Sequence, residues 1–319
     1  MRELCPRSYD VVERAELSSV RIELYDSKHN ANISESSHIA VTIQQDPDLG
    51  IPGVVYDCSI VLAQFVSSLN EQTRTSETTS TYKATKTVKI IELGCGVGTC
   101  GLLVAVSLAR KGTPIDLTLT DRNAKALVIA ERNAEALKKH PSYGHLVTTC
   151  CEKYVFGDDL NHLIGTTSGT QPDIILASDV LYDPDTAKAL ATTLKRMLTK
   201  RTDTKSAYQS CQSVMDSPDG RPVGVGLPNL SCYLAWRPRP SNSAKQSALQ
   251  AFLKTVADIG LSAVVEDVGK IIKATRTVTS EASRLTTHSD ETNKKWSKPF
   301  DVRDAIERGL TILKIEERK

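Results

Sequence analysis

The spacing of apolar positions alternates along the chain between a period near two and a period near 3.6, which predicts strands and helices in turn. Val88, Ile90, Ile91 and Leu93 make a short buried strand, and Leu102, Leu103, Val106, Leu108 and Ala109 follow at helical spacing from Thr99 onward. Ile115 to Asp121 alternates as a second strand, and Asn123 to Lys139 is an amphipathic helix with Leu127, Ala130, Ala134 and Leu137 inward, ended by Pro141. His145 to Cys150 is a modest third strand. Ile174, Ile175, Leu176 and Ala177 form a continuous apolar run, as a strand buried on both faces requires. A helix over Thr186 to Lys200, a strand over Cys232 to Trp236, and a helix ending at Gly260 come next. SAVVEDVG and LTILKIEE are the last strand candidates, with a short helix DVRDAIERG before the second.

Upstream, strand-like pieces span Arg21 to Tyr25 and His38 to Gln45, where Ile39, Val41 and Ile43 alternate with Ala40, Thr42 and Gln44. DPDLGIPG is a turn segment, and Val54 to Leu69 a helix that Asp57 or Ser59 can cap. This order predicts an α/β fold: a Rossmann-like sheet of seven strands, mostly parallel with an antiparallel last strand, plus an N-terminal β extension over residues 1–53. The extension is too poor in apolar residues to fold alone. Polar, Ser/Thr-rich stretches near 70–87, 200–228 and 270–299 are expected to be loop insertions. Within the last, Lys294, Lys295 and Lys298 around Trp296 read as a solvated loop flank rather than a binding patch.

The densest chemistry lies between the first core strand and its helix. Gly94, Gly96 and Gly98 stand at alternate positions, which admits dihedrals closed to other residues and lets a ligand approach the backbone. The loop then delivers a helix N-terminus with free N–H groups. Two cofactor classes fit. Gly96, Gly98 and Gly101 satisfy the dinucleotide pattern G-x-G-x-x-G, whereas Glu92, Gly94, Gly96 and Gly98 satisfy E-x-G-x-G-x-G, the pattern of S-adenosylmethionine sites. Glu92 favours the second, because a carboxylate there can help hold an ammonium but would repel a pyrophosphate. Asp121, ending the next strand, suits two ribose hydroxyls or the cap of the following helix, and the two roles are compatible. Ser178, Asp179 and Tyr182 fall at the carboxyl end of the apolar strand, where open α/β sheets place their chemistry.

Methyl transfer needs the donor methyl and an acceptor lone pair held in line. A lysine acceptor must shed its proton first. Asp179 can orient such a nitrogen, and Tyr182 can wall its channel and meet the cation with its ring face. No Ser/His/Asp triad is legible, the 6 histidines stand in no motif, and no ligand cluster suggests a metal.

The formal net charge of +2 carries no case for a nucleic-acid partner. The 8 cysteines are scattered without a C-x-x-C, and Cys58, Cys95, Cys100 and Cys232 sit in apolar settings where a small buried thiol is expected. Without an apolar leader or a membrane-length apolar run, the expectation is a soluble cytoplasmic protein, with the nucleus also open to it.

Together VVYDCSIVLAQF, IIELGCGVG, LTLTD, SDVLY and YLAWRPR resemble the seven-strand protein methyltransferases grouped as methyltransferase family 16. That family includes enzymes modifying lysines of molecular chaperones, an AAA-type ATPase and translation elongation factors. The resemblance runs from about His38 to Gly269, and its mark is the D-x-x-Y element, here Asp179 to Tyr182. It implies S-adenosylmethionine as cofactor and a protein client; the methyltransferase domain is expected over 54–319, as a monomer without a membrane partner. It also implies Glu92, Gly94, Gly96 and Gly98 around the methionine part, Asp121 on the ribose, Arg122 beside the adenine and Ser178 near the sulfonium. Asp179 and Tyr182 would serve the acceptor lysine. The sequence departs from the pattern twice. Tyr56 stands where the family has Trp in its "vWdas" segment, and the Trp after the third strand is absent, with Tyr154 or Phe156 expected on the adenine side. Other acceptors (a histidine, an N-terminus, a small molecule), an NAD-dependent oxidoreductase and a non-catalytic scaffold remain as alternatives. Client choice is expected to reside in the N-terminal strands and the inserted loops.

Overall fold

In the computed structural model, residues 18–25, 38–74, 86–160, 163, 171–212, 230–238, 243–268 and 302–318 are described. Strands β1 (Ser19–Tyr25) and β2 (His38–Gln44) pair antiparallel in a small sheet of their own. The main sheet holds β3 (Val88–Leu93), β4 (Ile115–Asp121), β5 (Val147–Lys153), β6 (Ile174–Ser178), β7 (Ser231–Trp236), β8 (Leu261–Glu266) and β9 (Thr311–Glu317). Their spatial order is β5-β4-β3-β6-β7-β9-β8. The first five are mutually parallel, and β9 runs antiparallel between β7 and β8. The expected seven-strand sheet with an antiparallel last strand is thus the observed one.

Among the described residues six helices cover the sheet: α1 (Asp57–Arg74), α2 (Thr99–Ala109), α3 (Ala124–Lys138), α4 (Pro184–Gln212), α5 (Ser243–Asp258) and the short α6 (Val302–Glu307). One core packs α1, α2 and α3 on one face through residues such as Phe65, Leu102 and Leu137, against Ile90 and Leu117 of the sheet. The other packs α4 and α5 through Leu190, Leu194 and Phe252 onto Ile91, Ile175 and Leu234. Burial of both faces explains the continuous apolar run Ile174 to Ala177 of β6, broken only by Ser178 at its carboxyl end.

Several boundaries differ from the expectation. Helix α1 continues past Leu69 to Arg74, and α4 past Lys200 to Gln212, because neither extension holds a Gly or Pro to stop it. Strand β5 starts at Val147 and reaches Lys153, since residues 144–146 form a 3-10 turn and pairing with β4 extends to Asp121 beside Lys153. Lys294, Lys295, Trp296 and Lys298 lie outside the described residues, as does most of each expected insertion. Among the described residues no helix is long and apolar enough to cross a membrane.

The chain leaves β3 toward β4 and β5, then returns to place β6 on the other side of β3. The crevice at the carboxyl ends of β3 and β6 is therefore the topological switch point, where such sheets bind ligands.

Candidate active site

The glycine loop sits at this switch point. Gly94, Gly96 and Gly98 all have positive φ, at 72°, 54° and 85°. Gly96 is constrained twice over: a Cβ there would lie 2.8 Å from the backbone oxygen of Pro52, so the N-terminal segment passes directly over the loop. At the start of α2, Gly101 approaches so closely that a Cβ would stand 2.8 Å from Glu92 Oε2. That oxygen accepts the Gly101 N–H at 2.7 Å, so Glu92 supplies the capping acceptor that the loop's own side chains lack. Burial pushes the Glu92 carboxyl up to about 8, against the opposing pull of the Gly101 hydrogen bond, and nearby Asp121 raises it further.

Asp121 divides its oxygens between two elements. Oδ2 accepts the Gly96 N–H at 2.9 Å, and Oδ1 accepts the Asn123 N–H at 2.8 Å. It therefore holds the glycine loop against the end of β4. Capping of α3 falls to Asn123, which accepts from Lys125 and Ala126. Arg122 is exposed, and its charge adds to the hydrogen bonds from Thr186 that keep the Asp183 carboxyl below its usual range. Asp183 thereby caps α4 and fixes the turn just after Tyr182, which is half-buried.

At the end of β6, Ser178 shares a buried hydrogen bond with Ser59 of α1, Oγ to Oγ at 3.0 Å. Asp179 follows with φ 51°, alone among described non-glycine residues in being positive, and its N–H donates to Ala235 O at 2.9 Å. A left-handed side-chain-bearing residue is strained unless its surroundings hold it, and such strain gathers at functional sites. Tyr56, half-buried, immediately precedes α1.

Tyr154 departs from the expectation. It is only 2% exposed, packed with Leu160 and Leu190 on the α4 side, and its hydroxyl lies 3.1 Å from Thr193 Oγ1. Its ring therefore has no face left for an adenine. Phe156, the alternative, is half-buried, with ring carbon Cζ 3.4 Å from where a Gly94 Cβ would be. Two further residues have partners that the spacing of the sequence does not reveal. Arg237, the first residue after β7, donates to Asp57 Oδ2 at 3.1 Å, and Asn133 of α3 donates to Val97 O inside the glycine loop at 2.9 Å. Asn133 carried a signal, a polar residue on the inward face beside Ala130 and Ala134.

The donor set fits an adenosine cofactor with a methionine tail: alternate glycines at the switch point, the carboxyl groups of Glu92 and Asp121 on either side of the loop, and a Thr99 hydroxyl buried at the head of α2 without a hydrogen-bond partner. No group of His, Cys, Asp and Glu among the described residues could hold a metal ion.

Solved structures similar to this chain are remote. A TehB-like SAM-dependent methyltransferase from Corynebacterium glutamicum shares 12% identity over 81% of this chain and 88% of that one, with TM-score 0.35. The methyltransferase domain of bacterial CtHen1-C shares 11% over 81% and 100%, with TM-score 0.39. A geranyl diphosphate methyltransferase in complex with GPP and sinefungin shares 12% over 74% and 73%, with TM-score 0.36. No curated protein matches by sequence. The model of the family described as lysine methyltransferase matches residues 35–216, more than half of the chain, and the protein belongs to that family of enzymes, with S-adenosylmethionine as its cofactor.

Proposed function

We propose that this enzyme methylates the side-chain amine of a lysine in a non-histone protein client. The observation that carries the reading is Asp179, buried and left-handed at the end of β6, with Tyr182 one turn on at the head of α4. S-adenosylmethionine, when bound, would supply an electrophilic methyl group on a sulfonium, with S-adenosylhomocysteine as the product. The protein's task is to hold, align and dry the reacting pair. Glu92 and the Gly94, Gly96 and Gly98 backbone hold the methionine part, and Asp121 the ribose. Arg122 and Phe156 flank the adenine, and Tyr56 and Ser178 close the sulfonium end. Asp179 accepts an N–H of the incoming amine, which fixes the direction of the nitrogen lone pair once its extra proton has gone to solvent. The ring of Tyr182 walls the channel and favours a cationic side chain on approach. Clients among chaperones, AAA-type ATPases or translation factors follow the precedents of the family.

The test uses tritiated S-adenosylmethionine, a lysate of cells lacking the protein, and wild type beside Asp179→Asn. Asparagine tolerates the left-handed conformation, so this variant removes charge and spares the backbone. The expected result is a labelled lysine peptide whose label falls about 100-fold in the variant, as misalignment of a reacting pair does, while calorimetric binding of S-adenosylmethionine persists. Label on another residue type or in the small-molecule fraction, or equal label with the variant, would overturn the reading.

A further inference from the structure

Asn133 faces inward from the middle of α3 and is 3% exposed. Its Oδ1 accepts the Gln44 N–H at 2.8 Å, while its Nδ2 donates to Gln44 O at 3.2 Å and to Val97 O at 2.9 Å. The orientation of the amide is fixed by chemistry, since an N–H needs the oxygen and the two carbonyls need the nitrogen. Toward Gln44 the side chain thus behaves as one more strand residue, closing the end of β2 by exchanging both bonds with its backbone. Its remaining hydrogen holds the carbonyl between Gly96 and Gly98.

The chain that leaves Gln44 is closed on itself. Gln45, 7% exposed, accepts the Val55 N–H at 2.6 Å, and Asp46 N donates to Gly53 O at 2.9 Å. Residues 46–55 therefore form a small pinned loop, and its Pro52 carbonyl is the one lying over Gly96. The same loop ends at Tyr56. One buried amide consequently sets the stem of this loop and the glycine turn beneath it in a single frame.

We propose that Asn133 is a positioning residue for the cofactor: it locks the N-terminal segment onto the glycine loop and so sets affinity for S-adenosylmethionine without touching it. Removing the amide leaves the Val97 carbonyl buried without its donor, and the loop must shift to find another. By linkage, whatever the amide contributes to cofactor binding, bound cofactor returns as order in residues 44–55. The inference needs only the cofactor and is independent of the lysine reading, so its test requires no acceptor.

S-adenosylmethionine binding is measured by calorimetry for wild type, Asn133→Ala and Leu137→Ala. Leu137, one turn further along the same helix and 6% exposed, controls for lost packing alone. Asn133→Ala is expected to weaken binding about tenfold, within the usual span of site-to-site coupling, and Leu137→Ala less than about twofold. Hydrogen exchange gives the second readout. In wild type, cofactor should slow exchange at the Gln44 and Val55 amides; in Asn133→Ala it should not. Should Asn133→Ala fail to fold, Asn133→Leu has nearly the same size and can neither accept from Gln44 nor donate to Val97, and the same comparisons apply. Equal weakening by both alanine variants, unchanged affinity in the Asn133 variant, or cofactor-independent exchange at Gln44 in wild type would each overturn the proposal.

Discussion

Arg237 Nη1 and Asp57 Oδ2 stand 3.1 Å apart, joining the end of β7 to the first residue of α1. The Asp57 side chain is 3% exposed and that of Arg237 18%. A pair so enclosed adds little net stability, because desolvation offsets the attraction, but breaking it strands a charge. It also ties two halves of the site. Tyr56 precedes Asp57, and the Ala235 carbonyl that receives the Asp179 N–H lies two residues before Arg237.

Arg237→Met is accordingly expected to destabilise by an amount near the lower end of the about 3–5 kcal/mol typical of a broken buried pair, because Arg237 keeps some water. Asp57→Asn/Arg237→Met should lose less than the sum of the single variants. Denaturant unfolding of the four proteins checks this. Strictly additive losses would show that the pair does not act as a unit.

The buried Glu92 carboxyl supplies a pH dependence of definite sign. In the unfolded chain it ionises near 4.5, and in the folded protein near 8, chiefly because burial penalises the charge. Between those values the folded state holds the extra proton, so this group makes stability fall as pH rises from about 4.5 to about 8 and flatten above. Glu92→Gln can still accept the Gly101 N–H but cannot ionise. It should remove that slope, read as the difference between the two proteins' unfolding midpoints from pH 5 to 9. Parallel curves would contradict the assignment.

Glu92, Gly96, Asp121 and Asp179 were legible because each lies at a strand end, and periodicity marks strand ends with only small error. The sheet followed for the same reason, as β6 can be so apolar only if covered on both faces. Tyr154 and Phe156 show the limit. They differ by two residues beyond the end of β5, yet one is fixed by Thr193 of α4 and the other turns to Gly94. Local sequence holds no information about a partner on a later helix. Arg237 and Asp57 are 180 residues apart, and Asn133 and Gln44 are 89 apart. The pattern assigns Asn133 a face but cannot say which backbone it meets.

Two glycines separate backbone strain from steric blockade at the cofactor loop. Gly112, after α2, has φ 77° with nothing within 4 Å of a would-be Cβ, whereas Gly96 combines φ 54° with the Pro52 carbonyl at 2.8 Å. Alanine at either position incurs the left-handed penalty of roughly 1–2 kcal/mol. Only at position 96 must a backbone carbonyl also move, and with it the loop whose N–H Asp121 holds. Gly112→Ala should therefore lower the unfolding midpoint and leave S-adenosylmethionine affinity within about twofold, since a distant strain adds independently. Gly96→Ala should lose measurable binding while still folding. Calorimetry on both variants decides it: binding retained in Gly96→Ala would mean that the N-terminal segment can lift from the loop without consequence for the cofactor.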